Sequence, residues 1–344
     1  MMKLGIIGLP GAGKRTVFSA LTQQSVDSGR AGESQIGTIF VPDSRVDVLG
    51  EMYDPQKITH AQVEYFLPGI PGGVSKKQAE SVWTPVRDCH ALIHVIRNFR
   101  GSGFGEPVPF KDFQTLDQDL LISDMASVEK RLERLDLDKK RGKKIDPEEH
   151  SLLRACLGKL EEEIPLRKVP EICDAQKLRG FAFFTAKPVL VLLNNDEDND
   201  EIPSQDLFPT DEIAITIKGK LEQELALMTA DEAEEFLAVY DIKDSAMDRV
   251  IQESYELLGL ISFFTIGKDE VRAWTVRRDT VALEAAGAIH TDIQKGFIRA
   301  EVLAYDDLIV AGSYNEARKK GTVRLEGKTY TVQDGDIIEF RFNV

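Results

Sequence analysis

The feature that most constrains the fold lies in the first 22 residues. Met2 to Ile7 form an apolar run typical of a short buried strand, Gly8 to Thr16 read GLPGAGKRT, and Val17 to Thr22 continue in a helical pattern. This order predicts a loop that surrounds a phosphate group, because glycines let several backbone N–H groups point at one anion. The helix N-terminus adds positive potential, and Lys14 stands where an ammonium group reaches the outer phosphates. A glycine-rich turn that binds nothing is the alternative, and the sequence leaves it open.

One position departs from the phosphate-loop pattern. A Ser or Thr normally follows the lysine and binds Mg²⁺ through its hydroxyl, whereas this chain has Arg15. Thr16 carries a hydroxyl one residue further along, but a helix turns that side chain toward another direction. The sequence therefore predicts a nucleotide site and makes Mg²⁺ binding there doubtful. The predicted phosphate-binding residues are Pro10, Gly11, Ala12, Gly13, Lys14, Arg15 and Thr16.

Length and composition limit the class of protein. A chain of 344 residues predicts two or three domains, and 42% hydrophobic with 29% charged residues is typical of a globular protein. The net charge of −15 argues against coating nucleic acid with the whole surface, so nucleic-acid contact needs a local basic patch. Cys89, Cys156 and Cys173 form no CxxC pair, which argues against zinc and disulfides. The sequence shows no signal peptide and no apolar run of membrane-spanning length, so we expect a cytoplasmic protein.

Strand and helix patterns alternate through most of the first 260 residues and predict a parallel α/β sheet. A short helix is predicted over 46–53. Strand patterns cover residues 37–41, 61–67, 91–96, 188–193 and 211–217.

A helical insertion interrupts this sheet. Residues 119–175 carry two apolar stripes at helical spacing, which predict two long amphipathic helices that form an antiparallel arm. The segment between them, Asp138 to Lys144, contains five basic residues and one acidic residue. Such a run is a solvated loop or a protruding contact for phosphates, and the sequence does not decide between them. We call this segment the arm tip; its basic residues are Lys139, Lys140, Arg141, Lys143 and Lys144.

The last part of the chain has a different pattern. From about Ile261, short alternating runs predict a small β-rich domain. A turn is expected at Gln333–Asp336. Predicted strands cover residues 271–276, 297–302, 323–325, 329–332 and 337–342.

Several longer segments resemble the YchF/Obg-like ATPase family of P-loop proteins. The opening Gly5–Pro10 and the stretch Val41–Asp47 (VPDSRVD) are similar to sequences of that family, as are YELLGLISFFTIGKDEVRAWTVRRDT, AAGAIHTDIQKGFIRAEV and LEGKTYTVQDGDIIEFRFNV in the last third. The resemblance implies a P-loop nucleotide-binding (G) domain over 1–118 and 176–260, a helical arm over 119–175, and a β-grasp domain of the TGS type over 261–344. It also implies ATP or GTP (or ADP or GDP) as ligand, and association with the ribosome or RNA through the arm tip and the TGS face.

The resemblance also implies a contact with the nucleotide base. The guanine-reading sequence becomes N-x-x-E in the family, and Asn194 and Glu197 match it here, directly after a strand. A plain acidic loop is the alternative for this NNDEDND run. Lys218 and Gly219 stand where the family has the Ser and Ala of a SAK motif that backs the base.

Four departures from the family pattern fall on the catalytic machinery. Arg15 replaces the Mg²⁺-binding hydroxyl, and Leu67 replaces an Asp that orders Mg²⁺ through water. The glycine-rich switch II at 74–78 is shortened, and the switch I threonine falls near Ala31. Together they predict little or no hydrolysis, because phosphoryl transfer depends on the metal, whereas nucleotide binding and association with the ribosome remain what the resemblance implies. An active Mg²⁺-dependent ATPase or GTPase and a scaffold that binds no nucleotide are the alternatives.

A histidine pair is the remaining candidate site. His90 and His94 are four residues apart, which on a helix is a metal-binding spacing. They fall on a strand pattern, however, so we predict a core strand and no zinc site.

Overall fold

The computed structural model describes residues 2–24, 33–69, 83–101, 103, 105–199, 211–229, 232–233, 235–236 and 245–343. They fall into two compact units. The N-terminal unit contains residues 2–37 and 64–247, and the C-terminal unit contains residues 38–63 and 248–344. The three-domain division expected from the sequence stays a prediction.

The strands are β1 (Lys3–Ile7), β2 (Gln35–Phe40), β3 (Lys57–Thr59), β4 (Gln62–Leu67), β5 (Ala91–Asn98), β6 (Val189–Asn195), β7 (Ile213–Ile217), β8 (Leu260–Ile266), β9 (Glu270–Arg277), β10 (Phe297–Ala304), β11 (Arg324–Glu326) and β12 (Asp336–Phe342). The helices are α1 (Lys14–Thr22), α2 (Ser44–Tyr53), α3 (Pro109–Lys140), α4 (Pro147–Glu161), α5 (Pro170–Cys173), α6 (Gly219–Ala226), α7 (Ala246–Leu257), α8 (Ala282–Ile289), α9 (Thr291–Lys295), α10 (Tyr305–Ala311) and α11 (Tyr314–Lys320). Short 3₁₀ turns occupy Leu166–Lys168 and Gln176–Phe181.

The N-terminal unit is built on a six-stranded sheet with the order β2-β4-β1-β5-β6-β7. The β1–β4, β1–β5, β5–β6 and β6–β7 pairs are parallel, as the alternating pattern predicts. All seven residues of β6 are buried, which explains its uninterrupted apolar sequence. Because parallel strands end at one edge of a sheet, the loops after β1, β5, β6 and β7 converge there.

The helical arm lies within the N-terminal unit. Helix α3 begins at Pro109, with proline in its first turn. Its first turns pack on the sheet through Phe113, Leu116 and Leu120, and from Leu121 onward its buried residues pack into a separate arm core. That core contains Val128, Leu132, Leu135, Leu153, Cys156 and Leu160, which confirms the two predicted apolar stripes. The arm tip joins α3 to α4, and Gly142 makes the turn with a φ of 75°.

The C-terminal unit contains a second six-stranded sheet with the order β11-β10-β12-β8-β9-β3. The β8–β9 hairpin is antiparallel, β12 runs parallel to β8, and β10 is antiparallel to β12. Residues of α8 pack into the core of this sheet with Phe263, Val302 and Ile338. A hairpin, a crossing helix and a parallel central pair are the β-grasp arrangement expected from the sequence.

Two expectations for the C-terminal unit need correction. The strand predicted over 329–332 is wrong, because only an isolated bridge joins Thr331 to Val281. Strand β8 and helices α8 to α11 were not among the predicted elements. The continuous apolar run of β8 has no strand alternation, since both of its faces are buried at Phe263 and Phe264.

The VPDSRVD stretch begins helix α2 inside the C-terminal unit. The Asp43 carboxylate caps α2 by accepting from the Arg45 backbone N–H. The Arg45 guanidinium donates to Asp43 at 2.9 Å and to Asp334 at 2.7 Å, and it lies 5.2 Å from the centre of the Phe264 ring. Asp334 also accepts from the Ser262 backbone N–H, so one charged cluster ties α2 to the sheet.

Within the part of the chain that the structure describes, no helix is both long enough and apolar enough to cross a membrane.

Candidate nucleotide-binding site

The loop between β1 and α1 has the backbone shape that the glycine pattern predicts. Gly8 and Gly13 have φ values of 155° and 90°, which side-chain-bearing residues rarely adopt. A β-carbon on Gly8 would lie 2.4 Å from the Val95 carbonyl oxygen, and one on Gly13 would lie 2.3 Å from the Asn194 amide nitrogen. Both glycines are therefore required by conformation and by space.

Lys14 is held against the concave side of this loop. Its Nζ donates to the carbonyl oxygens of Gly8 and Leu9, both at 2.8 Å. Burial, with a smaller contribution from the positive charge of Arg15, lowers the pKa of Lys14 to about 8. The ammonium group is thus poorly solvated and gains most from an anion in the loop.

The N-terminus of α1 opens toward the same loop. Gly13 precedes the helix in a left-handed conformation, no side chain caps the helix, and its first turn contains no acidic residue. Backbone N–H groups of this turn lack intrahelical acceptors, so an anion is their natural partner.

The metal-binding positions of the family pattern do not fit Mg²⁺ in this chain. Arg15 and Thr16 are both half-buried in the first turn of α1, and Leu67 ends β4 as a buried apolar residue. A guanidinium and an aliphatic side chain offer no oxygen to a hard cation. Among the described residues, no three His, Cys, Asp or Glu side chains form a group that could hold a metal. Residue 31 and residues 74–78, the predicted switch positions, lie outside the described residues.

Asn194, at the end of β6, links two of the loops that converge at the sheet edge. It is buried, its Nδ2 donates to the Ala12 carbonyl at 3.1 Å, and its Oδ1 accepts from the Gly219 backbone N–H at 3.0 Å. A β-carbon on Gly219 would lie 2.6 Å from that Oδ1, which explains a glycine there. One N–H of the Asn194 amide is left over for a ligand.

The other residues predicted to contact the nucleotide base lie in the same loops. Glu197 forms an exposed ion pair with Lys220 at 3.0 Å. Lys218 directly precedes α6 and is half-buried. The structure therefore places the Asn194–Glu197 and Lys218–Gly219 segments beside each other, as the sequence patterns require.

A cleft of about 1160 Å³ opens along this edge of the sheet. It is large enough for a small-molecule cofactor. Its walls come from all four converging loops: Gly11, Gly13, Thr16, Asn98, Phe99, Arg100, Glu106, Pro107, Asn194, Asn195, Asp196, Glu197, Asp198, Asn199, Lys220 and Gln223. We call it the nucleotide cleft.

Two residues at the end of β5 and in the loop after it shape the cleft without a role predicted from the sequence. Phe99 lines the cleft and comes close to Gly13. Arg97 is buried, and its guanidinium donates to the backbone oxygens of Phe99 at 3.3 Å, Gly105 at 2.9 Å and Glu106 at 3.1 Å. Arg97 therefore fixes the loop that carries Phe99. The signal in the sequence was an arginine near the end of a largely apolar strand.

Of the histidine pair predicted to lie on a core strand, His94 does so, whereas His90 lies just before the strand and is exposed. His94 lies in β5, is buried, and stacks on Phe113 with ring centres 5.4 Å apart. Burial lowers its pKa to about 3, with smaller contributions from Arg167 and Lys14, so the ring is neutral. His90 precedes the strand and its Nδ1 accepts from the Lys3 backbone N–H at 3.2 Å.

Comparisons with known proteins agree with this architecture. A family model described as YchF-GTPase_C, a protein of unknown function (DUF933), matches residues 260–343. The chain is 37% identical to the "Ribosome-binding ATPase YchF" of Bacillus subtilis and 36% identical to that of Haemophilus ducreyi, in both cases over 99% of each chain.

Solved structures give the same result. The YchF GTPase of Schizosaccharomyces pombe is similar with a TM-score of 0.83 and 30% identity, over 99% of this chain and 97% of that one. A GTP-binding protein of Pyrococcus horikoshii shares the fold, with a TM-score of 0.62 and 18% identity over 99% of this chain and 100% of that one. The full-length relatives show that the chain, a P-loop NTPase with a helical arm and a C-terminal β-grasp domain, belongs to the YchF family.

Proposed function

We propose that this protein binds ATP or GTP, or their diphosphates, in the nucleotide cleft, and that it hydrolyses them slowly or not at all. The single observation that carries the proposal is the first turn of α1. It joins an intact phosphate loop, with Lys14 held over it, to Arg15 in place of the metal ligand. The printed names of the relatives, an ATPase and a GTPase, support the nucleotide.

Arg15 supplies positive charge in place of the metal. A guanidinium can neutralise and grip phosphate oxygens directly, but it cannot arrange the water shell of Mg²⁺. Leu67 removes the second group that would order that shell. Binding without turnover is the chemistry that these two replacements favour.

Calorimetry with ADP, ATP and GTP, each with and without Mg²⁺, tests this proposal together with a phosphate-release assay. We expect the wild-type affinity to change less than about threefold when Mg²⁺ is added. Arg15→Ser should lose about tenfold or more in Mg²⁺-free affinity, because one phosphate contact to a charged group is removed. It should also gain dependence on Mg²⁺.

Arg141→Ser is the matched control, because Arg141 is an exposed arginine of the arm tip. It should bind like the wild type. Ordinary Mg²⁺-dependent turnover by the wild type would show instead an active ATPase or GTPase. Absence of heat with every nucleotide would identify a scaffold that has lost the ligand.

Ribosome association is the second part of the proposal. The relatives named ribosome-binding ATPases support it, and we place the contact, with ribosome or RNA, at the arm tip and the TGS face of the C-terminal domain. Lys139, Lys140, Arg141, Lys143 and Lys144 are all exposed. Lys143 is paired with Asp138 at 2.7 Å, which leaves the tip basic in a chain of net charge −15. A cytoplasmic location follows from this proposal.

Co-sedimentation with ribosomes tests the arm tip. Changing Lys139, Lys140 and Arg141 together to Glu should abolish pelleting, most clearly at low salt, since phosphate contacts weaken as salt rises. The matched control changes Lys111, Lys130 and Lys168 to Glu; all three are exposed and lie outside the arm tip. Equal losses of pelleting in both variants would show that net charge alone explains the effect. Unchanged pelleting of the tip variant would overturn the assignment of the contact to the arm tip.

A further inference from the structure

A second cavity lies wholly within the C-terminal unit. It measures about 400 Å³ and is lined by side chains from α2, β8, α8, α9, α11 and β12. Its walls are mostly apolar: Ile266, Ile289, Ile293, Ile337, Ile338 and Phe340. An apolar cavity of this size with a few polar groups is typical of a small-molecule site. We call it the tyrosine cavity, after Tyr53 and Tyr314 in its wall.

Strands β8 and β12 contribute residues to the wall of the cavity. The parallel pairing of β12 with β8 is formed at Ile337 opposite Phe264. Further along, Thr265 and Ile266 of β8 and Ile338 to Phe340 of β12 line the cavity. Each of the two strands is also hydrogen-bonded to a further strand of the sheet, β8 to β9 and β12 to β10.

Tyr53 presents an unsatisfied hydroxyl at this cavity. Its oxygen is buried and makes no hydrogen bond within the described chain. The backbone N–H of Tyr314 lies near it without reaching hydrogen-bond geometry. A buried hydroxyl without a partner costs free energy, which a bound polar group would recover.

Glu339 is the only charged side chain among the described residues that line the cavity. It lies directly opposite Glu301 on β10. Two nearby arginines are engaged by Glu301, which pairs with Arg318 at 2.6 Å and with Arg341. The two glutamates balance the two arginines in charge, but Glu339 itself has no side-chain ion pair or hydrogen bond in the described chain, so its carboxylate oxygens remain available to a ligand.

We propose that the tyrosine cavity binds a small organic cation: an apolar or aromatic body with a primary ammonium group. The isoleucines and Phe340 enclose the apolar body. Glu339 accepts from the ammonium group, and the Tyr53 hydroxyl bonds to a polar atom of the ligand. This site is separate in its residues from the nucleotide cleft, and its ligand is independent of nucleotide binding.

Methyl NMR of the full-length protein, labelled at isoleucine δ1 methyls, tests the proposal with three probes that share an indole ring. Tryptamine is the cation, 3-ethylindole is neutral, and indole-3-propionate is the anion. We expect tryptamine to shift the methyl signals of Ile289, Ile293 and Ile338, with a dissociation constant at least about fivefold below those of the other two. The methyls of Ile6 and Ile93, buried in the other sheet, are the internal control.

Two variants separate charge from hydroxyl. Glu339→Gln should remove the preference for tryptamine and leave 3-ethylindole unchanged, and it should fold normally because Glu339 is exposed. Tyr53→Phe should weaken tryptamine about threefold or more. The proposal fails if no probe shifts these methyls up to its solubility limit, if the shifts lie outside the cavity, or if Glu339→Gln keeps the order of the probes. In the first case a side chain of a protein partner becomes the better candidate occupant.

Discussion

The two halves of the phosphate site are built from different parts of the chain. The cradle at Gly8–Lys14 is made mainly of backbone, and its shape depends on glycines with positive φ. The metal-binding half depends on single side chains, and here these are Arg15 and Leu67. The first half has the geometry of a phosphate loop, whereas the second half offers no oxygen ligand at these two positions.

Because the two halves are built differently, a substitution can remove the metal ligands and leave the phosphate-binding loop in place. A backbone cradle tolerates most side-chain changes as long as its glycines remain, because its donors belong to every residue type except proline. A ligand supplied by one side chain disappears with one substitution. The variants that follow test this difference and are ordered by decreasing effect.

Gly13→Ala should have the largest effect. The backbone φ of Gly13 is 90°, and the new methyl would lie 2.3 Å from the Asn194 amide nitrogen. Strain and overlap together should lower the free energy of unfolding by about 3 kcal/mol. Nucleotide affinity should fall below detection, because the loop must open. Urea unfolding and calorimetry measure the two effects.

Gly142→Ala is the control for that change. Gly142 also has a positive φ, of 75°, but a β-carbon there meets nothing within 4 Å. It should cost only about 1 kcal/mol and leave nucleotide affinity unchanged. If both variants behaved alike, backbone strain alone would explain Gly13, and the close approach to Asn194 would be irrelevant.

Asn194→Ala tests a buried side chain that links two loops of the cleft. It leaves the Ala12 carbonyl and the Gly219 N–H buried without partners, which should cost about 2–3 kcal/mol and weaken ATP and GTP alike. Urea unfolding and calorimetry check both effects. Asn98→Ala, which removes one half-buried bond to Asn195, should cost about 1 kcal/mol. An Asn194 variant as stable as the Asn98 variant would contradict the bridging role.

The pH dependence of nucleotide affinity measures how much the charge of Lys14 adds to the backbone cradle. In the free protein Lys14 has a pKa of about 8, and we expect the nucleotide to bind its protonated form. Affinity should therefore be nearly constant below pH 7. Above pH 8 it should fall about tenfold per pH unit, until the higher pKa of the bound state is reached.

Calorimetry between pH 6.5 and 9.5 measures this fall. Lys14→Arg is the comparison, because its guanidinium stays charged throughout this range and its affinity should be flat. A flat wild-type profile would mean that the backbone N–H groups bind the phosphates without help from the lysine charge.

Glu197 should show the smallest effect. Its carboxylate pairs with Lys220 on the surface, where an ion pair contributes little. Glu197→Gln should change stability by less than about 0.5 kcal/mol and the ratio of ATP to GTP affinity by less than about twofold. A large change in that ratio would assign base selection to Glu197 and weaken the contrast drawn above.

Much of the fold could be predicted because its signals are local. The phosphate loop is specified by glycines within one turn, and each arm helix by its own apolar stripe. The turn near Gly335, with a φ of 86°, is equally local, although the described residues around it form no hairpin. Strand β8 and the false strand at 329–332 show the limit, because a continuous apolar run and a short β-rich run do not reveal their partners.

The candidate site could be predicted only in part. Lys14, Asn194 and Gly219 were found by spacing, whereas the role of Arg97 depends on carbonyl groups in a loop eight and nine residues away. The neutral state of His94 depends on burial beneath Phe113, which no residue pattern shows. The tyrosine cavity brings together residues 53, 266, 293, 314 and 339.

Residue types at short and fixed spacing were enough to predict the anion-binding loop, the helical arm and two positions, Arg15 and Leu67, that offer no oxygen to Mg²⁺. Only the tertiary structure shows that Asn194 bridges two loops, that Arg97 holds the loop that carries Phe99, and that the Glu339 carboxylate lies beside a cavity without an ion pair to any described residue. The physical reason is that hydrogen bonding, desolvation and charge compensation depend on which distant residues become neighbours, and folding sets those neighbours.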